Sequence, residues 1–448
     1  MRKKILFLIA VSFLTFVAIA KDEPQDSVKT GLNLGALPTI TYDSDFGLQY
    51  GAMVNFFFYG DGSTYPQYRH SIYTEISRFT KGSGINRLFY DSKYLIPGVR
   101  LTADISYLTE KALPFYGFNG AEAFYNSSWE DDQSDDYISR VFYRHERKLF
   151  RFKTDFQGKL PIKNWGWIAG YEAYNFQIGS VDIDQLNSGQ AASSELPDTA
   201  GLYDLYVRWQ MIDEDEKDGG THHYLKGGIV YDTRDNEPNP MSGIWTEFVV
   251  QGAPGIFESK KYSHAKISFT HRQYFTLIPN DLALAVRLLY QTTVGNSPFY
   301  LYPLISTSYL KGANSEGLGG AKTVRGVLRN RVVGKSIAFG NIELRYKLWR
   351  FHLLNQNFYI GTNLFTDAGV IVENIPFDRD KAIGLAKADN PEFEAEEFFA
   401  DKQELNIGVG CGFRVAMNQN FVIALDVAQS LKKQYGNTGI YIGLNYLF

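Results

Sequence analysis

The chain has a single cysteine, Cys411, so no disulfide can form within it, and an exported protein of 448 residues must be held together by other means. Nor has it an excess of basic charge: 45 Lys+Arg against 49 Asp+Glu leave −4, which denies a general nucleic-acid binder its electrostatic footprint. Long apolar runs are almost lacking, and a mean hydropathy of −0.23 excludes a bundle of membrane-spanning helices. Gly-x-Ser-x-Gly does not occur, and none of the seven histidines forms a His-x-x-x-His pair. The local signatures of a serine hydrolase and of a helical zinc site are thus both missing. No catalytic residue is expected, and neither a cofactor nor a metal ion is implied.

One apolar run is present, Ile5 to Ala20, preceded by Arg2, Lys3 and Lys4 and followed by Lys21-Asp22-Glu23. A positive start, an apolar middle and small residues at the end (Ala18-Ile19-Ala20) are the marks of a secretory signal peptide. The run is shorter than the roughly 20 residues that a spanning helix needs, so residues 1–20 are expected to be cleaved off. Cleavage takes the three cations with it and moves the formal charge from −4 to −7.

From residue 32 the sequence repeats one theme: about ten residues alternating large apolar with small or polar side chains, then a turn, as in the strands of a transmembrane β-barrel. Ile440, Ile442, Leu444, Tyr446 and Phe448 share one face of the last run, with Tyr441, Gly443 and Asn445 on the other. Before it, Phe421, Ile423, Leu425 and Val427 alternate with Ala424, Asp426 and Ala428. Earlier still, Ile407, Val409, Cys411, Phe413 and Val415 alternate with Gly408, Gly410, Gly412 and Arg414, which places Cys411 toward lipid as a small hydrophobe. A soluble sandwich would alternate too. The connections separate the two cases. Short turns (Ile96-Pro97-Gly98, Pro279-Asn280-Asp281) alternate with long loops near 110–136, 184–220, 296–334 and 374–402, the asymmetry of periplasmic turns and outer loops. The acidic clusters at 130–132, 213–218 and 394–397 fall in those loops and read as solvated surface.

Sixteen such runs can be counted, an even number that returns both termini to the periplasmic side. The expectation is an all-β fold, a 16-stranded antiparallel transmembrane β-barrel over 32–448 after a short segment at 21–31, in the bacterial outer membrane. Residues 201–212 fit a helix or a strand. The first run carries Gly35 and Pro38, and proline cannot donate to a ladder. Two readings stand: a weakened seam against the last strand, near Gly443, or an entry kink at the membrane rim. Tyr446 and Phe448, aromatic and last in the final run, are the candidate C-terminal assembly signal.

The informative segment is the long loop near 296–334, with Gly317, Gly319 and Gly320, then Thr323-Val324-Arg325-Gly326, followed by Gly340-Asn341-Ile342-Glu343-Leu344-Arg345-Tyr346. Leu364-Phe365-Thr366-Asp367-Ala368-Gly369 and the earlier Tyr231-Asp232-Thr233-Arg234-Asp235-Asn236, with Pro240 and Gly243, stand in matching order. These segments resemble the BamA/TamA superfamily of outer-membrane assembly and translocation barrels, the bacterial surface antigen family. The resemblance spans roughly 220–448. It implies a lumen-inserted loop whose Val-Arg-Gly tip meets an inward aspartate, here Val324, Arg325 and Gly326 with Asp367 and Gly369; Val327 stands where the family has an aromatic. The family's periplasmic POTRA modules are not expected before residue 32. Parity agrees independently. With Ile360, Thr362 and Leu364 toward lipid, Asp367 points inward, and Ile342 and Leu344 put Glu343 inside. An Arg325–Asp367 salt bridge is predicted, with Glu343 as a second partner.

What the resemblance implies is a barrel that assists insertion or translocation of polypeptides at the outer membrane, among outer-membrane lipid, with assembly-machinery subunits or client polypeptides as partners. The alternatives are a passive porin-like channel and, third, an outer-membrane enzyme.

Overall fold

In a computed structural model the described residues are 28–448 except 44–46, 81, 238, 256–259, 309–316, 401, 445 and 447. The expected signal peptide and residues 21–27 lie outside them. The first eight strands are β1 Leu32–Asp43, β2 Gly47–Phe58, β3 His70–Phe79, β4 Gly84–Ile96, β5 Val99–Pro114, β6 Arg144–Lys159, β7 Trp165–Gly179 and β8 Gly219–Asp232. The second eight are β9 Gly243–Ala253, β10 His264–Ile278, β11 Leu282–Gly295, β12 Ser336–Leu353, β13 Gln356–Glu373, β14 Asn406–Met417, β15 Phe421–Ser430 and β16 Thr438–Leu444. They form one 16-stranded sheet in sequential order, each strand antiparallel to the next. Residues 202–208 are helical, so the ambiguous stretch is a helix inside an outer loop.

Alternation sorts the side chains. Leu88, Ile105, Phe150, Leu225, Phe248, Leu288, Ile342, Leu364 and Ile440 stand exposed, each on a different strand. An apolar belt of this kind is stable only against lipid. Cys411 belongs to it and is exposed. The opposite face carries Asp91, Asp104, Glu172, Lys226, Arg287, Glu343 and Asp367, all buried. All of these but Arg287 are retained there paired with a charge on the lumen side.

The tight turns follow from residues that tolerate left-handed backbone. β12 and β13 are joined by Leu354 and Asn355 alone, with φ of 49° and 57°. Positive φ at both central positions is the primed turn whose twist matches the strands.

The two ends of the sheet meet through side chains. Phe57 and Phe421 share one cluster, with Leu37 and Leu444 packed against it. A Cβ at Gly35 would lie 2.4 Å from the Phe421 ring, so glycine lets β1 approach the last hairpin. Among the described residues no ladder joins β1 to β16. Pro38 pairs with Ala52 of β2, and β1 is therefore an edge strand, where a proline is tolerated.

The long outer loops differ from the solvated loops expected of them. They pack into one aromatic core above the barrel, with Tyr143, Tyr206, Trp209, Leu301 and Phe399 buried. Tyr206 is met edge-on by Phe115 and Phe118, both at 5.3 Å between ring centroids. Such contacts add to area burial. Within the acidic cluster, Asp213, Glu214 and Asp215 are exposed, but Glu216 is buried. Its carboxylate accepts from the backbone N–H of Phe299 at 2.8 Å.

Burial pushes the Glu216 carboxyl up to about 7 against that bond and one from the Asp213 N–H, and the Asp213 and Asp215 charges add to the rise. The folded state then holds a proton that the unfolded state releases near pH 4.5. The resulting stability is full below that pH and lost as pH climbs through about 7, by at most about 3 kcal/mol. Hydrogen exchange of the loop-core amides, corrected for intrinsic rates, should quicken between pH 5 and 8 in the native protein. Glu216→Gln should flatten that dependence; an unchanged slope in the variant would assign it to another group.

Candidate functional site

The β11–β12 connection folds down into the lumen. Its descending arm is held by the inner wall of β8–β11. Lys266 Nζ donates to the carbonyls of Leu301 and Leu304, and Gln291 donates to Leu304 O at 2.9 Å and accepts from Ser306 N at 2.7 Å. Ser308 bonds Glu247 through its hydroxyl. The tip is built by its glycines: Gly319 has φ 133°, and a Cβ there would sit 1.9 Å from Leu328 O. Thr323 Oγ1 accepts from Gly319 N at 2.8 Å, and Asn341 Nδ2 donates to Thr323 O at 2.7 Å.

Beyond this turn Arg325 is fully buried. Its Nε and Nη2 donate to the two oxygens of Asp367 at 2.8 and 2.9 Å, and its own backbone N–H adds a third bond at 3.0 Å. Nη2 also lies 2.7 Å from Glu343 Oε1, and Nη1 is 3.1 Å from Asp426 Oδ2. The guanidinium stacks on Phe365, 3.3 Å from the ring centroid. Glu343 is shared with Arg345 at 2.8 Å, and Asp426 takes both ends of the Arg414 fork at 2.7 and 3.0 Å. Three arginines thus face three carboxylates. Buried charges are tolerable only when paired and hydrogen-bonded in this way.

The wall around the tip is cleared of side chains. A Cβ at Gly408 would stand 1.8 Å from Arg325 O, one at Gly410 2.5 Å from the Phe365 ring, and one at Gly412 1.9 Å from Asp426 Oδ1. Gly369 does the same for Val324, whose Cγ2 lies 2.9 Å from where its Cβ would be. Gly326 has φ 89° and donates its N–H to Tyr441 Oη of β16 at 2.9 Å. Val324 and Val327 are buried with Leu318, Phe339 and Ile371, so the aliphatic at 327 fills a small apolar cluster.

Asp426, Arg414, Phe365 and Tyr441 were not singled out by the sequence. Their signal was modest: the row Gly408, Gly410, Gly412 on the inward parity of one strand, a space that something must fill.

Tyr446 and Phe448 correct the sequence reading, which put them on one face with Ile440 and Ile442. Among the described residues the β15–β16 ladder runs to Leu444, opposite Ile423, and the Tyr446 and Phe448 rings lie on the lumen side. Tyr446 packs with Tyr359, Ala416 and Val422. The Arg345 guanidinium lies 4.5 Å from the Tyr446 ring and 4.7 Å from that of Phe448, and its Nη2 donates to the terminal Phe448 oxygen at 2.9 Å. Cation–π contact and a charge-assisted bond hold them there. Gly443 has nothing within 4 Å of its would-be Cβ.

The hairpin motif at 231–236 bridges the periplasmic mouth. Asn239 donates to Tyr359 Oη at 3.0 Å, Asn236 to Gln419 at 3.0 Å, and Glu237 pairs with Arg100 at 2.7 Å and Lys93 at 2.8 Å. His222 and His223 point to opposite faces of β8, toward Tyr300 and Tyr171.

A model of the Omp85 superfamily domain matches residues 70–448. No curated protein matches the chain. Among solved structures, CdiB from Escherichia coli is similar with a TM-score of 0.54 at 8% identity, over 93% of this chain and 62% of that one. BamA from Haemophilus ducreyi lacking POTRA domains 1-3 gives 0.47 at 16% identity, over 93% of this chain and 69% of the other. CdiB from Acinetobacter baumannii gives 0.42 at 10% identity, over 93% and 60%. At these identities the E. coli CdiB likeness concerns the fold. With the family model covering most of its length and a single 16-stranded sheet belted by apolar residues, the chain belongs to the Omp85 superfamily and is a β-barrel of the bacterial outer membrane.

Proposed function

We propose that this barrel assists the insertion or translocation of polypeptides at the outer membrane, surrounded by its lipid and partnered by assembly-machinery subunits or client polypeptides. The observation that carries the reading is the joint between the ends of the sheet, packed through Leu37, Phe57, Phe421 and Leu444. Parting such a joint exposes apolar side chains to lipid, which costs little. Parting a ladder inside lipid would strand N–H and C=O groups at several kcal/mol each. Gly35 and Pro38 on one side and Gly443 on the other form the seam in this account, and the loop held by Val324, Arg325, Gly326, Glu343, Asp367 and Gly369 keeps the lumen occupied while it opens. Tyr446 and Phe448 serve as the chain's own C-terminal assembly signal.

A passive channel is the competing reading. The inserted loop, the aromatic loop core above it and the contacts across the periplasmic mouth all favour the first.

Proteoliposomes carrying the purified barrel should speed the folding of an added, urea-unfolded outer-membrane protein, read as protease-resistant product, relative to empty liposomes. A disulfide between Gly35→Cys and Phe421→Cys, in a Cys411→Ser background, should remove that gain, and reduction should restore it. Equal rates with and without the barrel would refute the assembly role; a gain that survives the oxidised lock would refute the seam.

A further inference from the structure

Arg272 of β10 and Arg287 of β11 stand directly opposite each other in the ladder. Both face the lumen and are buried, 6% and 3% exposed. Like charges in that position repel, and desolvated cations are costly without a counter-charge. Neither has one. Arg287 donates to Asn341 Oδ1 at 2.8 Å and to the Lys322 carbonyl at 2.9 Å, both neutral acceptors. Arg272 lies 5.8 Å from the Trp245 ring centroid, and its Nε is buried without a hydrogen-bond partner.

The neighbouring acids are committed elsewhere. Glu343, Asp367 and Asp426 serve Arg325, Arg345 and Arg414. Asp104 holds Arg87 and Arg151, Glu247 is bound by Ser308 and Trp245, and the chain terminus is bound by Arg345. A third cation comes from the loop tip: Lys322 is held against Arg287 through its own carbonyl, which accepts from Arg287 Nη2 at 2.9 Å.

We propose that Arg272, Arg287 and Lys322 form a lumenal site for a small oxyanion of the phosphate or sulfate class. The Arg272 guanidinium and the Nη1 side of Arg287 present N–H donors that match the oxygens of a tetrahedral oxyanion, and the ammonium supplies a third point charge. A bound dianion relieves the repulsion across the β10–β11 ladder. Because Lys322 stands three residues before Arg325, the anion also ties the loop tip to β10–β11, as the carboxylates tie it to β12–β15.

The test is thermal unfolding of the full barrel in detergent, dialysed into chloride buffer and titrated with inorganic phosphate at constant ionic strength. The native protein should show a saturable rise in unfolding temperature, as binding to the folded state alone requires. Lys322→Gln, a loop change that leaves the strands intact, should raise the half-saturating phosphate about tenfold, as the loss of one charged hydrogen bond does. Arg272→Gln should abolish the rise while being no less stable than the native protein in chloride, since it removes a like-charge pair. A rise that is linear, unsaturable and equal in native protein and variants is the general effect of an excluded salt and would overturn the proposal. So would no rise at all, or a half-saturation that neither variant changes.

Discussion

Arg325→Ala is expected to be the most damaging single substitution in the lumen. It removes the one side chain that Asp367, Glu343 and Asp426 share, and Asp367 then keeps only the loop backbone N–H at position 325. Leaving the buried Asp367 carboxylate without its counter-charge costs about 3 to 5 kcal/mol. The midpoint of urea unfolding in detergent should fall accordingly. Arg325→Lys should recover little, because an ammonium can neither span both Asp367 oxygens while reaching Glu343 and Asp426 nor stack flat on Phe365. The loop should also come free. In planar bilayers the native barrel should show small, erratic openings, and the Arg325→Ala variant larger ones. Large steady openings of the native protein would favour the channel reading instead.

Gly408→Ala should be the second most damaging, through space and not charge. The added methyl carbon would lie 1.8 Å from Arg325 O, far inside contact distance, and that atom is backbone that cannot rotate away. Either β14 or the loop tip must shift, at a cost of about 1 to 3 kcal/mol for overpacking of this kind. Gly227→Ala is the matched control: it is also a strand glycine, with nothing within 4 Å of its would-be Cβ, and should change the unfolding midpoint little. Equal losses at the two positions would mean that strand glycine itself, and not the seat for Arg325, is what matters.

How far the sequence revealed this depended on what each feature rests upon. Strands were legible because a lipid-facing and a lumen-facing side chain must alternate with period two, and β13 shows it in the buried Phe365 and Asp367 against the exposed Leu364. The residues of the Arg325–Asp367 contact were legible through their motifs, and parity put both acids inside. Asp426 and Arg414 were not, since parity marks many inward polar residues and cannot say which converge on one guanidinium. The aromatic loop core escaped because its residues, such as Trp129, Tyr206 and Phe399, come from different loops without a period. Tyr446 and Phe448 were misread because parity assumes a strand that runs straight to its end. Arg345 instead holds both rings on the lumen side.

The seat of the loop inside the lumen can be measured in intact outer membranes. Val324→Cys and Gly369→Cys, in a Cys411→Ser background, place two sulfurs where a Cβ at 369 would lie 2.9 Å from the native Val324 side chain. Disulfide geometry demands Cβ atoms roughly 3.5 to 4.5 Å apart, so only a loop seated at β13 can form the bond. On mild oxidation the pair should cross-link almost completely, seen as a mobility shift that a reductant reverses, and adding Arg325→Ala should sharply lower the yield. A native-background pair that stays reduced, or one that links equally well without Arg325, would contradict the account.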